Sequence, residues 1–361
     1  MTRRHVAVAG TGRMGRDIGL WCLGRGFDVT WLSRDAGRLD AFRGRLARDL
    51  RRLADADTPP GQAAFGSVDA PAFVRDPDVL VETTVEEAHT KRAVLAALEP
   101  MTGPATLIVS NSSSLLPSTL HPRCLGAHFF YPITLTGFAE AVVPAGAARD
   151  ARDRLHAWLA DLDLTVLAQD EQNAFAVNRL LLPLQNESFR LLARGVDPEA
   201  VDQATEAVLG TGLLGWMDSV GLDVTASAVA AYRGRMDPRA AADFAPLAEG
   251  LDRLLSLGKQ GVKNGDGLRR GAALPWASRA GAAEASLHDT MAALLRRTCR
   301  RAIAAGEVDL AGLNVALSAL FGVEYRPDAD PAADEVIAAR ELARGGPSYW
   351  GPETPGPGRE S

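Results

Sequence analysis

Apolar positions change spacing repeatedly along the first 170 residues. Residues 5–9 form a short β-branched and small apolar run closed by Gly10, which predicts a strand. Helical spacing follows at Met14, Ile18, Leu20 and Leu23. Residues 27–32 predict a second strand, and residues 35–53 an arginine-rich amphipathic helix. Thr58-Pro59-Pro60-Gly61 breaks the pattern and predicts a loop. Residues 79–82 read as a third strand, with a helix over 86–98 behind it. Residues 106–110, 123–129 and 140–143 read as further strands. Strands alternating with helices predict an α/β fold, a doubly wound and mostly parallel sheet of the Rossmann kind. Past Phe175 the texture changes. Leu- and Ala-rich stretches with helical spacing run to about residue 322 and predict an all-α second part.

The helical part carries an internal echo. Val196-Asp197 with Val201, Ala204, Ala207 and Gly210 recurs as Val308-Asp309 with Leu313, Ala316, Ala319 and Gly322, at a constant offset of 112. A duplicated helical module explains the constant offset; chance likeness between alanine-rich helices is the competing reading. From Arg344 onward the chain is rich in Gly and Pro and predicts a flexible tail.

Composition narrows the class. A chain of 361 residues implies two to three domains, and 47% apolar with 23% charged residues excludes disordered, collagenous and coiled-coil proteins. A net charge of −6 argues against nucleic acid as a partner. Only three of the 39 basic residues are lysines (Lys91, Lys259, Lys263), a bias expected of a GC-rich genome that lowers the weight of any single arginine. Cys22, Cys124 and Cys299 are far apart and lack metal-ligand spacing, which points to no metal, no disulfide framework and a reducing cytoplasm. No stretch reads as a signal peptide or a membrane span, so a soluble cytoplasmic protein is expected.

Gly10-Thr11-Gly12-Arg13-Met14-Gly15 fits the dinucleotide fingerprint G-x-G-x-x-G, and it stands directly after a strand and at the start of a helix. The glycines allow a tight turn and close approach of backbone to a pyrophosphate, which the helix N-terminus then faces. An NAD-binding second strand ends in an acid that holds the ribose 2′-hydroxyl; here Ser33-Arg34 stands there. The missing acid and the adjacent cation favour NADP(H) over NAD(H), with Asp35 close enough to serve the ribose after a small register shift.

Hydride transfer to a ketone leaves an alkoxide, so a proton has to arrive from a group such as histidine. His128 is the candidate, and Glu140, twelve residues on, is placed to bind its other ring nitrogen and fix the tautomer. Ser110-Asn111-Ser112-Ser113-Ser114-Leu115, Ala127-His128-Phe129-Phe130-Tyr131-Pro132, Glu140 and Val177-Asn178-Arg179-Leu180-Leu181 resemble, in order and spacing, the L-3-hydroxyacyl-CoA dehydrogenases, whose helical domain is of the 6-phosphogluconate-dehydrogenase-like type. The resemblance spans residues 5–270. It implies oxidation of a 3-hydroxyacyl thioester, or reduction of the 3-keto form, by a nicotinamide cofactor. It further implies Ser113 as a contact to the substrate oxygen and Asn178 as the residue orienting the acyl carbonyl, against the plainer readings of a polar loop and a helix N-cap. Glu86 and Lys91 match positions that touch the cofactor near the nicotinamide ribose, the plainer reading being an exposed ion pair at a helix start. Gly261, Lys263, Gly265 and Gly267 resemble the family's glycine-rich turn.

Three departures stand out. Tyr131 replaces the family's Asn three residues after the histidine and should reshape the substrate pocket. The stretch between Leu53 and Asp76 is shorter than the helical hairpin that helps embrace coenzyme A. Gly212-Leu213-Leu214-Gly215 stands where the family has Gly-Pro-Phe-Glu. The acyl group is therefore expected on CoA or on a carrier protein. A dehydrogenase of a free small hydroxy acid, like those acting on carnitine or gulonate, is the alternative, and a non-catalytic dinucleotide-binding scaffold a third reading. The expected organisation is a dinucleotide-binding domain over 1–172, a helical substrate and dimerisation domain over 173–271, a second helical repeat over 272–343 and a tail over 344–361. A homodimer through the helical domain is expected, and the second repeat offers a way to cover the same apolar face within one chain.

Overall fold

Strands whose successive residues are all apolar have to be covered on both faces. The computed structural model describes residues 4–54, 60–69, 76–269, 287–326 and 331–352, and the chain divides into two units, 1–175 and 176–361. The division falls after Phe175 and not between 172 and 173. Thr58 and Pro59 of the expected loop, residues 272–286 and 327–330 of the expected repeat and 353–361 of the expected tail lie outside the described residues.

The first unit runs β1 (His5–Ala9), α1 (Arg13–Gly24), β2 (Asp28–Ser33), α2 (Ala36–Ala54), β3 (Ala63–Ser67), β4 (Val79–Glu82), α3 (Ala88–Leu98), β5 (Leu107–Ser110), β6 (Cys124–Phe129), α4 (Ile133–Thr136), β7 (Phe138–Val143), α5 (Arg149–Asp161) and β8 (Thr165–Asp170). The strands form one sheet in the order β3-β2-β1-β4-β5-β6-β7-β8, parallel except between β6 and β7. Alternate residues divide its core. Val6, Val8, Val29, Trp31, Val79, Val81, Leu107 and Val109 pack with α1, α2 and α5, while Ala7, Ala9, Leu80 and Ile108 pack with α3 on the other face. The two edge strands, β3 and β8, carry weak patterns, Ala-Ala-Phe-Gly-Ser and Thr-Val-Leu-Ala-Gln-Asp, and escape a reading based on apolar runs.

The described elements of the second unit are mostly helices: α6 (Ala176–Ala193), α7 (Pro198–Leu209), α8 (Leu213–Val220), α9 (Leu222–Arg233), α10 (Pro238–Asp243), α11 (Ala245–Ser256), α12 (Leu287–Ala304), α13 (Leu310–Phe321) and α14 (Pro331–Ala343). α6 and α12 have 18 residues each, α7 and α13 twelve each. Asp197 and Asp309 cap the two shorter helices with their side chains, and Gly210 and Gly322 close them in the left-handed conformation. α12 packs against both α6 and α7. Glu307, two residues before the Asp309 cap, forms an ion pair with Arg179 of α6.

The expected flexible tail is corrected for its first part. Tyr349 and Trp350 are buried, and Glu187 Oε2 on α6 accepts from the Tyr349 hydroxyl at 3.0 Å and from Trp350 Nε1 at 3.2 Å. Arg297 and Arg301 of α12 both donate to the Gly351 carbonyl. Gly and Pro in this stretch shape a tight turn into a 3₁₀ segment at Ser348–Trp350, so composition alone misread it. Trp350→Ala should cost about 3–5 kcal/mol in chemical denaturation of the second unit, the range for emptying a large buried aromatic site. A flexible arm would give a change within about 0.5 kcal/mol.

Candidate active site

Parallel strands end at a common edge, and their polar C-terminal ends need partners there. At the end of β1, Gly10 has φ +129°, and a Cβ on Gly15 would lie 2.2 Å from the Gly10 carbonyl oxygen, so both turns exclude a side chain. α1 starts from Gly12, no side chain caps it, and a Cβ there would meet nothing within 4 Å. Open space before uncapped first-turn amides fits a dinucleotide pyrophosphate. Arg13 points to the surface, whereas Met14 packs partly against the sheet core.

β2 runs one residue further than expected, so Ser33 is its last residue. Its hydroxyl accepts from the Asp35 N–H at 3.2 Å. Asp35 Oδ1 in turn accepts from Arg38 N at 2.9 Å at the start of α2, which engages the nearest acid in holding a helix. Arg34 is exposed, 3.8 Å from Asp69.

The end of β4 carries a buried charge cluster that the sequence did not reveal. Lys91 is 1% exposed and donates to Glu82 Oε2 at 2.9 Å and to the Thr84 carbonyl at 3.2 Å, with Glu86 at 3.4 Å. Glu82 also accepts from Ser110 Oγ at 2.6 Å, which ties β4 to β5. Glu86 Oε1 accepts from Ser112 Oγ at 2.5 Å, from the Ser113 and Ser114 N–H groups at 3.0 Å each and from Ser114 Oγ at 2.8 Å. Burial opposes its ionisation, but Lys91 and these hydrogen bonds outweigh that and hold its carboxyl below the ordinary range. The plainer reading of an exposed ion pair at a helix start is excluded by this burial. Lys91 has almost no surface, because its ammonium is needed between two carboxylates, and it acts on its surroundings through Glu82 and Glu86.

β6 and β7 bring the acid–base candidates together. In their antiparallel register His128 stands directly opposite Glu140, and Nδ1 lies 2.7 Å from Glu140 Oε2 with both side chains buried. The twelve-residue spacing is thus the length of a turn and back. A carboxylate at Nδ1 keeps the proton there and leaves Nε2 for proton exchange. Phe130 and Phe175 flank the imidazole with ring centroids 4.3 and 5.8 Å away. Asn111 Oδ1 accepts from Phe129 N at 2.9 Å and fixes the end of β6 to the serine loop. Asn111 and Glu82 are the residues that sequence reasoning left without a role; a polar residue inside an apolar strand end was the available signal. Tyr131 is 47% exposed, and the Arg13 guanidinium carbon lies 5.1 Å from its ring centroid.

Asn178 belongs to the second unit, in the first turn of α6. The helix begins at Ala176, so an N-cap role for Asn178 does not apply. In the glycine-rich turn, Gly261 bridges to Asp266 and Lys263 donates to Asp223 at 2.6 Å.

The sheet, its phosphate cradle and the histidine at the same edge put the chain among the dinucleotide-dependent oxidoreductases. Models of the 3-hydroxyacyl-CoA dehydrogenase NAD-binding domain and of the C-terminal domain match residues 5–171 and 175–270. A probable 3-hydroxyacyl-CoA dehydrogenase of Caenorhabditis elegans is 28% identical over 284 residues, covering 73% of this chain and 91% of its own. A 3-hydroxybutyryl-CoA dehydrogenase of Bradyrhizobium diazoefficiens is 30% identical over 241 residues, covering 62% and 82%. The crystal structure of an Escherichia coli 3-hydroxybutyryl-CoA dehydrogenase shares the fold over 98% of this chain and 97% of its own, with a TM-score of 0.73 at 18% identity. The chain belongs to the 3-hydroxyacyl-CoA dehydrogenase family. It is a nicotinamide-dependent oxidoreductase that interconverts 3-hydroxyacyl and 3-ketoacyl groups.

Lys91→Met removes the one cation between two buried carboxylates. It should cost about 3–5 kcal/mol in denaturation of the first unit, the range for breaking a buried ion pair. An exposed lysine serving only as a cofactor ligand would change dinucleotide affinity and leave stability within about 0.5 kcal/mol.

Proposed function

We propose that His128 is the acid–base group of the reaction and that Glu140 positions it. The 2.7 Å Nδ1–Oε2 contact across paired strands, buried on both sides, carries this reading. Gly10, Gly12 and Gly15 would hold the dinucleotide, which when bound would supply or accept the hydride. His128 Nε2 takes the proton of the 3-hydroxyl in oxidation and returns it in reduction. Ser113, whose N–H is held by Glu86, donates to the 3-oxygen. Asn178 orients the acyl carbonyl; its support is its match to the family motif. His128→Gln should lower kcat with acetoacetyl-CoA by about 10²–10⁴-fold. An unchanged kcat would remove the assignment.

The acyl group rides on CoA or a carrier protein, and the short stretch after α2 keeps a free small hydroxy acid as the second reading. Under the thioester reading acetoacetyl-CoA reacts and acetoacetate does not. A homodimer formed by the helical unit, in the cytoplasm, completes the reading; no described helix is long and apolar enough to cross a membrane.

For the cofactor, the β2 end supports NADP(H) over NAD(H): Ser33 stands at the acid position, Asp35 is engaged by Arg38, and Arg34 is exposed. Ser33→Asp combined with Arg34→Leu should shift the preference towards NAD(H) by at least about tenfold, the loss of one charge-assisted phosphate contact. Equal affinity of the unaltered protein for both cofactors would defeat this assignment.

A further inference from the structure

α1 holds more than the phosphate loop. Asp17 Oδ2 accepts from the Ile133 N–H at 2.7 Å, and Arg13, one turn earlier, lies over the Tyr131 ring with its guanidinium carbon 5.1 Å from the centroid. Residues four apart share one face of a helix, so α1 grips the segment 131–133 behind His128 at two points. One of them is electrostatically unusual. An arginine as the first residue of a helix sits against the positive end of the macrodipole, and α1 has neither an acidic residue in its first turn nor a capping side chain to offset it. A cation in that place is stabilised by an electron-rich ring face and by an anion bound in front of the helix. Tyr131 supplies the ring face, which an asparagine in the same position does not have.

We propose that Tyr131 is a positioning residue for the dinucleotide: its ring holds the Arg13 guanidinium beside the Gly10–Gly15 loop, where the charge adds to the helix amides that bind the pyrophosphate. The exchange of Asn for Tyr three residues after His128 then belongs with the arginine in the phosphate loop, as two parts of one device. This rests on the dinucleotide reading of that loop. It also links the two halves of the site, since the segment that carries His128 supports the group that holds the cofactor.

The test is a double-mutant cycle read as the dissociation constant of NADH or NADPH, whichever binds tighter, by fluorescence titration without substrate. Arg13→Ala should weaken binding about tenfold and flatten its salt dependence, the effect of losing one charge-assisted contact. Tyr131→Leu should weaken it about threefold, while Tyr131→Phe, which keeps the ring, stays within about 1.5-fold. In the Arg13→Ala background Tyr131→Leu should have no further effect, because the ring acts through the guanidinium. Unchanged affinity in Tyr131→Leu or in Arg13→Ala, or effects that multiply in the double variant, would overturn the proposal. An unaltered protein that binds neither dinucleotide would instead overturn the reading of the loop itself, and the pair's role with it.

Discussion

Two carboxylates and one ammonium, taken out of water at the end of β4, are the constraint on which the C-terminal edge of the sheet depends. Desolvating each ion costs several kcal/mol, and the cost is met only if every lone pair and proton finds a partner. Glu82 and Glu86 therefore draw in donors from the neighbouring loops: Thr84 and Ser110 on one side, Ser112, Ser113 and Ser114 on the other. Thus the serine loop has no freedom to drift. Its Asn111 then fixes the end of β6 through the Phe129 N–H, one residue from His128. Order runs from a buried lysine to the strand end that carries His128 through hydrogen bonds.

The imidazole itself is held by register. A parallel neighbour of β6 would have to return through a crossover connection, far longer than twelve residues of chain with two strands in it. The single antiparallel pairing of the sheet, β6 with β7, lets a carboxylate face the histidine across one ladder step. The break in the parallel pattern is therefore what makes a short-range His–Glu pair available at the strand ends. Phe130 and Phe175 close around the ring and raise the strength of that contact by excluding water.

Much of this was legible in the sequence, for identifiable reasons. The strands β1, β4, β5 and β6 are buried on both faces, so their apolar runs are continuous and their ends sharp, and the phosphate loop is marked by the spacing of its glycines. His128 and Glu140 were legible because their spacing matches a strand, a turn and a strand. For Lys91 and Glu86 the plainer alternative failed, since a lysine at a helix start looks exposed until the second carboxylate, Glu82, is brought beside it by the sheet. Glu82 itself was hidden at the end of an apolar strand. The edge strands β3 and β8 were lost because an edge needs little apolar surface. Tyr349 and Trp350 were lost to a composition rule, although two aromatics in a Gly/Pro-rich stretch are the mark of a segment that has something to bury.

The burial of that segment bears on what the chain after residue 270 is for. Here α12 packs on α6 and α7, and Glu187, fully buried on α6, is held by the hydroxyl of Tyr349 and the indole of Trp350. Kept buried against an apolar surface without those partners, the carboxylate would pay a desolvation penalty of several kcal/mol. The α6 sequence is thus adapted to being covered by the chain's own C-terminal residues. The helix pair α12–α13 repeats the lengths and caps of α6–α7, so the covering element has the form of what it covers. On this argument any self-association of the chain has to use a surface other than the α6 flank that α12 and Trp350 already occupy.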